Sequence, residues 1–392
     1  MSQIYIKNAM IYRTSRRVFS MGEVLVEDGK ILAVSEDRPL EGVAIAPDCD
    51  VVDAGGRMLI PGFVDVHTHG RAGGDFTTAD EAMMAVMAES YLASGVTTVM
   101  PTLASAPIDD MKASIARIKN VATNASAGQM ARFAGVHLEG RYLNPTKRGA
   151  HAPHLLSGLD TQELADLLSG IEGKAHLSVA LELEGGRAFL ATAKAMGATV
   201  GLGHTSATYA QAMAFIDMGV TSMTHLYNAM PPLHHRDGGA VCAGLLSPSV
   251  YCELICDGFH IAPEMVKLAY TLKGDYLTLI TDSMEATGCA DGEYNIAGMP
   301  VTVKDGKART HDGAIAGSTL SMWEAVRNLR DFAEISLGKA IYAATMAPAL
   351  QIGLGDEIGS LDIGKWADMI LLDGGLGLGR VMSRGVWYDP AH

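Results

Sequence analysis

The sequence predicts an α/β protein: a (β/α)8 barrel of the TIM type carrying a small β-sandwich domain built from both chain termini. Three observations predict it. Eight short apolar runs, each ending in polar or ionisable residues and followed by an Ala/Leu/Met-rich helical stretch, recur from Pro61 onward. Apolar or alternating segments without a helical period fill the two ends of the chain. The 392 residues include 44 glycines, which suits a fold with many tight strand–loop–helix turns. The expected spans are 1–58 for the N-terminal part of the small domain, 59–347 for the barrel and 348–392 for the C-terminal part.

Residues 3–9, 24–26, 30–34 and 51–53 read as short strands, separated by turns such as Glu27-Asp28-Gly29. The eight runs that follow are 63–69, 97–103, 133–139, 176–182, 198–204, 221–228, 251–257 and 277–282. Continuous apolar strands alternating with helices imply parallel pairing with both faces covered. Eight such units over about 280 residues fit a closed barrel. An open doubly wound sheet is the alternative, but no glycine-rich dinucleotide fingerprint follows the first strand. Strands return at 358–361, 367–372 and 385–388. Pairing these with the N-terminal strands makes one small β-domain, with the barrel between its halves.

Hydrophobic residues make up 48% and charged residues 19%, which favours a large buried core over global disorder. A net charge of −14 argues against nucleic acid as a partner, because a phosphate backbone needs a basic surface. It is compatible with a small anionic substrate held by a local cluster of Arg, His and backbone amides. The five cysteines, Cys49, Cys242, Cys252, Cys256 and Cys289, show no CxxC spacing and read as free thiols of a reducing compartment. The N-terminal segment is charged where a signal peptide is apolar, and no 18 predominantly apolar residues follow one another. The expectation is a cytoplasmic protein with no membrane partner.

Active sites of such barrels lie at the C-terminal strand ends. The first strand ends Asp65-Val66-His67-Thr68-His69, and residues two apart face the same side, so His67 and His69 both face the mouth. Glu139 ends the third run, His204 the fifth and Asp282 the eighth, and His225 lies in the sixth. One histidine at a strand end is ordinarily a hydrogen-bonded core residue. Four imidazoles and two carboxylates from five strands are costly to bury uncompensated, and they suit first-row divalent metal ions. One or two ions per chain are expected, zinc first, with iron or manganese as alternatives. Thr281-Asp282-Ser283 also reads as an ordinary capping turn, but its place after the eighth strand favours catalysis. Arg236 in the 231–239 loop is either a solvated charge or an anion-binding residue, and the resemblance given below favours the second. His234 and His235 read equally as functional or bland. The methionines of the 82–87 stretch are helix-core filling.

With these residues the sequence resembles the amidohydrolase superfamily over nearly its whole length, through Pro61-Gly62-Phe63-Val64-Asp65-Val66-His67-Thr68-His69-Gly70 and Gly359-Ser360-Leu361-Asp362-Ile363-Gly364-Lys365-Trp366-Ala367-Asp368. Within it the chain is most similar to the N-acetylglucosamine-6-phosphate deacetylase family. The marks are His137-Leu138-Glu139-Gly140, Gly149-Ala150-His151, Gly203-His204-Thr205, His225-Leu226-Tyr227-Asn228-Ala229-Met230, Asp257-Gly258-Phe259-His260, Thr281-Asp282 and Ala316-Gly317-Ser318. The resemblance implies hydrolysis of an acetamide on a phosphorylated amino sugar by a homodimer. It implies that Glu139, His204 and His225 hold the main metal and that His67 and His69, with Glu139 and Asp282, form a second set. Asp282 becomes the general base and acid, and His151 the hydrogen-bond donor to the carbonyl. Ala150, Asn228, Ala229, Arg236, Asp257, His260, Ile315, Ala316 and Gly317 become substrate-binding residues.

Two departures fall near the expected substrate. After Glu139-Gly140 the family usually has proline and then an aromatic, where this chain has Arg141-Tyr142. After Arg236 it usually has Glu-Pro-Gly, where this chain has Asp237-Gly238-Gly239. They put the identity of the sugar in question, and N-acetylgalactosamine 6-phosphate is the nearest rival. A cyclic-amide hydrolase would need a lysine on the fourth strand, and 176–182 has none. A non-catalytic scaffold would have lost ligands, and every expected ligand is present.

Overall fold

Eight strands, Phe63–Thr68, Val96–Leu103, Gly135–Leu138, Lys174–Val179, Thr199–Leu202, Ser222–Met223, Tyr251–Ile255 and Leu277–Ile280, pair in chain order, each parallel to the next. The eighth returns to the first: Asp282 N–H donates to the His67 carbonyl at 2.9 Å, and the Thr281 hydroxyl donates to the Asp65 carboxylate at 2.5 Å. A helix follows each strand: Glu81–Ala93, Ile108–Asn124, Thr161–Ser169, Gly186–Ala195, Tyr209–Met218, Gly239–Leu246, Pro263–Lys273 and Met322–Ala333. This is the (β/α)8 barrel that the periodicity predicts. The computed structural model describes residues 2–311 and 313–388; residues 1, 312 and 389–392, which the expected spans include, lie outside the described residues.

Local chemistry explains the element ends. Asp80, Asp160, Thr208 and Ser321 each cap a helix through the side-chain oxygen, which accepts first-turn N–H groups that have no partner within the helix. Every residue of Phe63–Thr68 and Val96–Leu103 is buried, as strands covered on both faces require. The sixth strand is regular only over Ser222–Met223, far short of the expected 221–228. His225, Tyr227 and Ala229 take φ of +29°, +78° and +51°, so the chain coils at the rim where an extended run was expected.

The small domain is built from both termini. Met369–Leu372 pairs antiparallel with Met58–Pro61, which pairs with Gln3–Arg13. The order continues through Leu378–Ser383 and Val386–Tyr388 on one side and Val18–Glu27 and Lys30–Val34 on the other, with Asp50–Asp53 also on Gln3–Arg13. These strands form one continuous sheet around an apolar cluster that includes Ile6, Ile11, Val24, Leu59, Met369 and Met382.

One element was not foreseen. Gly292–Ile296, Met299–Lys304 and Lys307–Thr310 form an antiparallel sheet between the eighth strand and its helix. Its two-residue turns, Ala297-Gly298 and Asp305-Gly306, all have positive φ, and the Asp-Gly pair is the ordinary sequence signal for such a hairpin. The segment leaving this sheet carries Ile315, Ala316 and Gly317 back over the barrel mouth.

Candidate active site at the barrel mouth

A cavity of about 270 Å³ opens at the C-terminal strand ends, with Glu139 at its floor. Its Oε2 lies 2.8 Å from His69 Nε2 and 3.2 Å from His67 Nε2. Its Oε1 lies 3.0 Å from His225 Nε2 and 3.3 Å from His204 Nε2. Asp282 Oδ1 stands 3.4 Å from His69 Nε2 and 3.6 Å from His67 Nε2. All of these groups are buried.

The protons in this cluster can be assigned from its partners. His204 Nδ1 meets the Lys147 carbonyl at 2.8 Å; a carbonyl only accepts, so Nδ1 carries the proton and Nε2 offers a lone pair. That lone pair faces Glu139 Oε1 and, at 3.0 Å, His225 Nε2. His67 Nδ1 likewise points at the Glu253 carboxylate, 3.2 Å away. His67 Nε2 and Glu139 Oε1 are buried without a hydrogen-bond partner among the described residues. Lone pairs converging on a carboxylate in a dry site repel unless a cation lies between them. Two overlapping donor groups share Glu139: one with His67, His69 and Asp282, the other with His151 and His204. Imidazole and carboxylate donors in such sets fit a first-row divalent ion.

The electrostatics point the same way. Burial works to raise the Glu139 carboxyl, but the imidazoles around it, His67 first, hold it well below the usual carboxylate range. Burial opposes charge on His69, yet Asp282 and Glu139 carry it up to about 9. Asp282 is held below its usual value by His67 and His69 despite its burial. The carboxylates therefore draw positive charge into the cluster. Burial and the neighbouring His204 push His151 the other way, down to about 3.

The backbone is strained here. His204, His225, Ala229 and Asp282 have φ of +46°, +29°, +51° and +48°, a region non-glycine residues seldom enter and one that collects at functional sites. Gly149 gives clearance, since a Cβ there would lie 3.1 Å from the His204 ring.

Of the residues singled out from the sequence, His69, Glu139, Ala150, His151, His204, His225, Asn228, Ala229, His260, Asp282, Ile315, Ala316 and Gly317 line this cavity. His67 lies just beneath, fully buried. Asp257 is off the lining, with its carboxylate 2.6 Å from His260 Nδ1. Arg236 is not among the residues that line this cavity within one chain. Reciprocal hydrogen bonds between His234 and Asp237 close a tight turn that leaves Arg236 exposed, with its guanidinium 2.8 Å from His235 Nε2. The two departures also lie off the lining. Arg141 turns to Glu163, Tyr142 packs on Phe189 at 4.7 Å, and Asp237 accepts from Gly239 N.

The sequence reading missed the groups that support the ligands. Glu253 lies inside the barrel, with Oε2 on His67 Nδ1 and Oε1 accepting from Gln351 Nε2 at 2.6 Å and facing His176 Nε2 at 3.3 Å. His137 bridges Thr102 and Ser178 beneath the cluster. The signal for Glu253 was a lone carboxylate in the middle of an apolar strand.

The sequence profile of the amidohydrolase family matches residues 58–388. An N-acetylgalactosamine-6-phosphate deacetylase of Escherichia coli O157:H7 is 34% identical, covering 93% of this chain and 93% of its own. An N-acetylglucosamine-6-phosphate deacetylase of Vibrio furnissii is 34% identical over 86% of this chain and 84% of its own. Among solved structures, the N-acetylglucosamine-6-phosphate deacetylase of Pasteurella multocida superposes with a TM-score of 0.91 at 28% identity, covering 99% of this chain and 100% of that one. A Mycobacterium smegmatis N-acetyl-D-glucosamine-6-phosphate deacetylase mutant, solved with N-acetyl-D-glucosamine-6-phosphate, gives 0.87 at 30% identity and 98% of each chain.

Proposed function

The chain belongs to the amidohydrolase family, and from that premise we propose that it hydrolyses the acetamide of N-acetylglucosamine 6-phosphate to glucosamine 6-phosphate and acetate, a step of amino-sugar catabolism. The observation that carries the reading is one cavity joining the Glu139-centred imidazoles, the Asp282 carboxylate and the His151 ring. Glu139, His204 and His225 would hold the main ion, and His67 and His69 with Glu139 and Asp282 the second. Zinc is the first choice, and iron or manganese the alternatives. When bound there, a divalent ion would supply an acidified water, its pKa brought from about 15.7 to about 7, and Lewis acidity toward the amide carbonyl.

This chain's residues do the rest. Asp282, ionised and inside the cluster, takes the proton of the attacking water and returns it to the leaving amine. His151 donates to the carbonyl oxygen as it becomes an oxyanion. Asn228, Ala229 and His260 hold the sugar phosphate, with Asp257 orienting His260, and Ala150, Ile315, Ala316 and Gly317 bound the sugar. Arg236 reaches the phosphate from the partner of a homodimer, a role consistent with its exposed turn. No described helix is long and apolar enough to cross a membrane, and all five cysteines are free, which supports a cytoplasmic enzyme.

A second reading, the same chemistry on N-acetylgalactosamine 6-phosphate, is favoured by the Escherichia coli relative. A deacetylation assay over N-acetyl sugars, each with and without the 6-phosphate, separates the two. Loss of acetate from none of them would overturn both.

A further inference from the structure

The reaction above needs His151 to present an N–H to the carbonyl, and a neutral imidazole has only one to give. We propose that Ser105 and Arg141 fix that proton on Nε2 of His151, acting as positioning residues for the oxyanion donor; the proposal rests on the deacetylase reading.

The bond directions carry it. Ser105 N–H donates to His151 Nδ1 at 3.3 Å, and a backbone amide can only donate, so Nδ1 is an acceptor. Ser105 Oγ lies 2.9 Å from the same nitrogen. That Oγ accepts the Arg141 N–H at 2.9 Å, which directs its own proton to Nδ1. The single proton of the ring is then on Nε2, the atom that faces Glu139 Oε2 across the cavity at 3.9 Å. The ring is neutral, because an imidazole whose Nδ1 accepts a hydrogen bond carries only one proton.

The donor at residue 141 departs from the usual pattern of the resembling family. Arg141 sits at φ +66°, strained for a residue with a Cβ. Its guanidinium is held there by a two-pronged pair to Glu163 at 2.8 and 3.1 Å and by the Ala106 carbonyl at 3.0 Å. The Tyr142 hydroxyl adds a bond to Glu163 at 3.0 Å. The proline usual at this place in the resembling family has no N–H and a φ fixed at about −65°, so it can neither make this bond nor take this shape. Gly140 permits the approach, since a Cβ on it would lie 2.5 Å from Ser105 N. Glu163 thus anchors Arg141, Arg141 orients Ser105, and Ser105 sets His151.

The test is ¹⁵N NMR of the histidine rings in the metal-loaded, full-length enzyme, with His151→Asn used to assign the signal, together with steady-state kinetics. The parent is expected to show His151 protonated on Nε2 alone. Ser105→Ala should move part of the population to Nδ1–H and lower kcat about tenfold, with KM within about twofold, as for a weakened oxyanion donor. Ser105→Thr, which keeps the hydroxyl, should recover kcat to within about threefold, and Arg141→Pro should shift tautomer and kcat in the direction of Ser105→Ala. A parent ring protonated on Nδ1 overturns the proposal without any variant. A Ser105→Ala enzyme with the parent's tautomer and kcat overturns the role of the hydroxyl and of Arg141, since the residue-105 amide survives that change. Parent-like kcat in His151→Asn would instead overturn the use of His151 in the deacetylase reading, and the NMR signal would still decide the Ser105 assignment.

Discussion

Glu253→Met tests whether the buried carboxylate beneath the site sustains metal binding. Glu253 has no solvent exposure, and its Oε2 fixes His67 Nδ1 at 3.2 Å. Methionine keeps the length but has no charge and accepts only weakly through its sulfur. The Nδ1–H of His67 is then unpaired, and the ring gains by moving its proton to Nε2, the atom turned toward Glu139 and Asp282. Losing a charge-assisted hydrogen bond costs about 1.5–3 kcal/mol, or about 10- to 100-fold in affinity at about 1.4 kcal/mol per decade. The same range is typical when the support behind a metal ligand is removed. Glu253→Gln should lose less than about tenfold, because its amide oxygen can still accept from His67 if Gln351 turns its own amide; the Gln351 oxygen is buried without a partner. The assay is chelator-competition titration of the apo-enzyme with Zn²⁺, with circular dichroism to verify folding. The ion on the His67 side should weaken by about 10- to 100-fold, and the ion on the His204–His225 side by less than about threefold. A folded Glu253→Met protein with both affinities within about twofold of the parent refutes the argument.

Three further outcomes are expected. Asp282→Asn keeps the shape but cannot accept a proton, so kcat should fall by about 10²- to 10⁴-fold with the ion on Glu139, His204 and His225 retained; activity within tenfold of the parent excludes Asp282 as the base. The double change His67→Gln with His69→Asn should stop at one ion per chain in a metal titration while the parent approaches two, and saturation of both at one ion removes the first-strand pair from the metal site. Arg236→Ala should cut kcat/KM for the phosphorylated sugar by about 10- to 100-fold and spare its unphosphorylated analogue; equal losses on both make the 231–239 loop merely structural, and mixed dimers show whether Arg236 acts in the partner's site.

Side-chain periodicity reveals which residues share a strand end, and it made the barrel legible. His67 and His69 two apart, and Glu139, His204 and Asp282 at the ends of apolar runs, could be assigned to one mouth before any coordinates because parallel strands all end on one side. What lies off the strands was harder to read. The 231–239 loop has a composition that suits an anion site, yet its direction is set by two hydrogen bonds between His234 and Asp237 that no pattern announces. The sheet over 292–310 has a local signal, Asp305-Gly306 between alternating segments, but it is an insertion that the eight-unit barrel period does not require.

Arg141 shows why a departure from a family pattern does not by itself locate specificity. It follows Glu139 by two residues, so it was expected near the substrate. A residue at φ +66° reverses the local direction of the chain, and its side chain leaves the cavity for Glu163 on the neighbouring helix. Its backbone N–H stays behind, pointing at Ser105. If Ser105 sets the His151 tautomer, the substitution bears on the reaction through a backbone atom that a side-chain comparison does not consider. Replacing the arginine by alanine would preserve that N–H and remove the clamp, whereas replacing it by proline would remove both. Comparing the two variants separates the positioning of His151 from the packing of the loop.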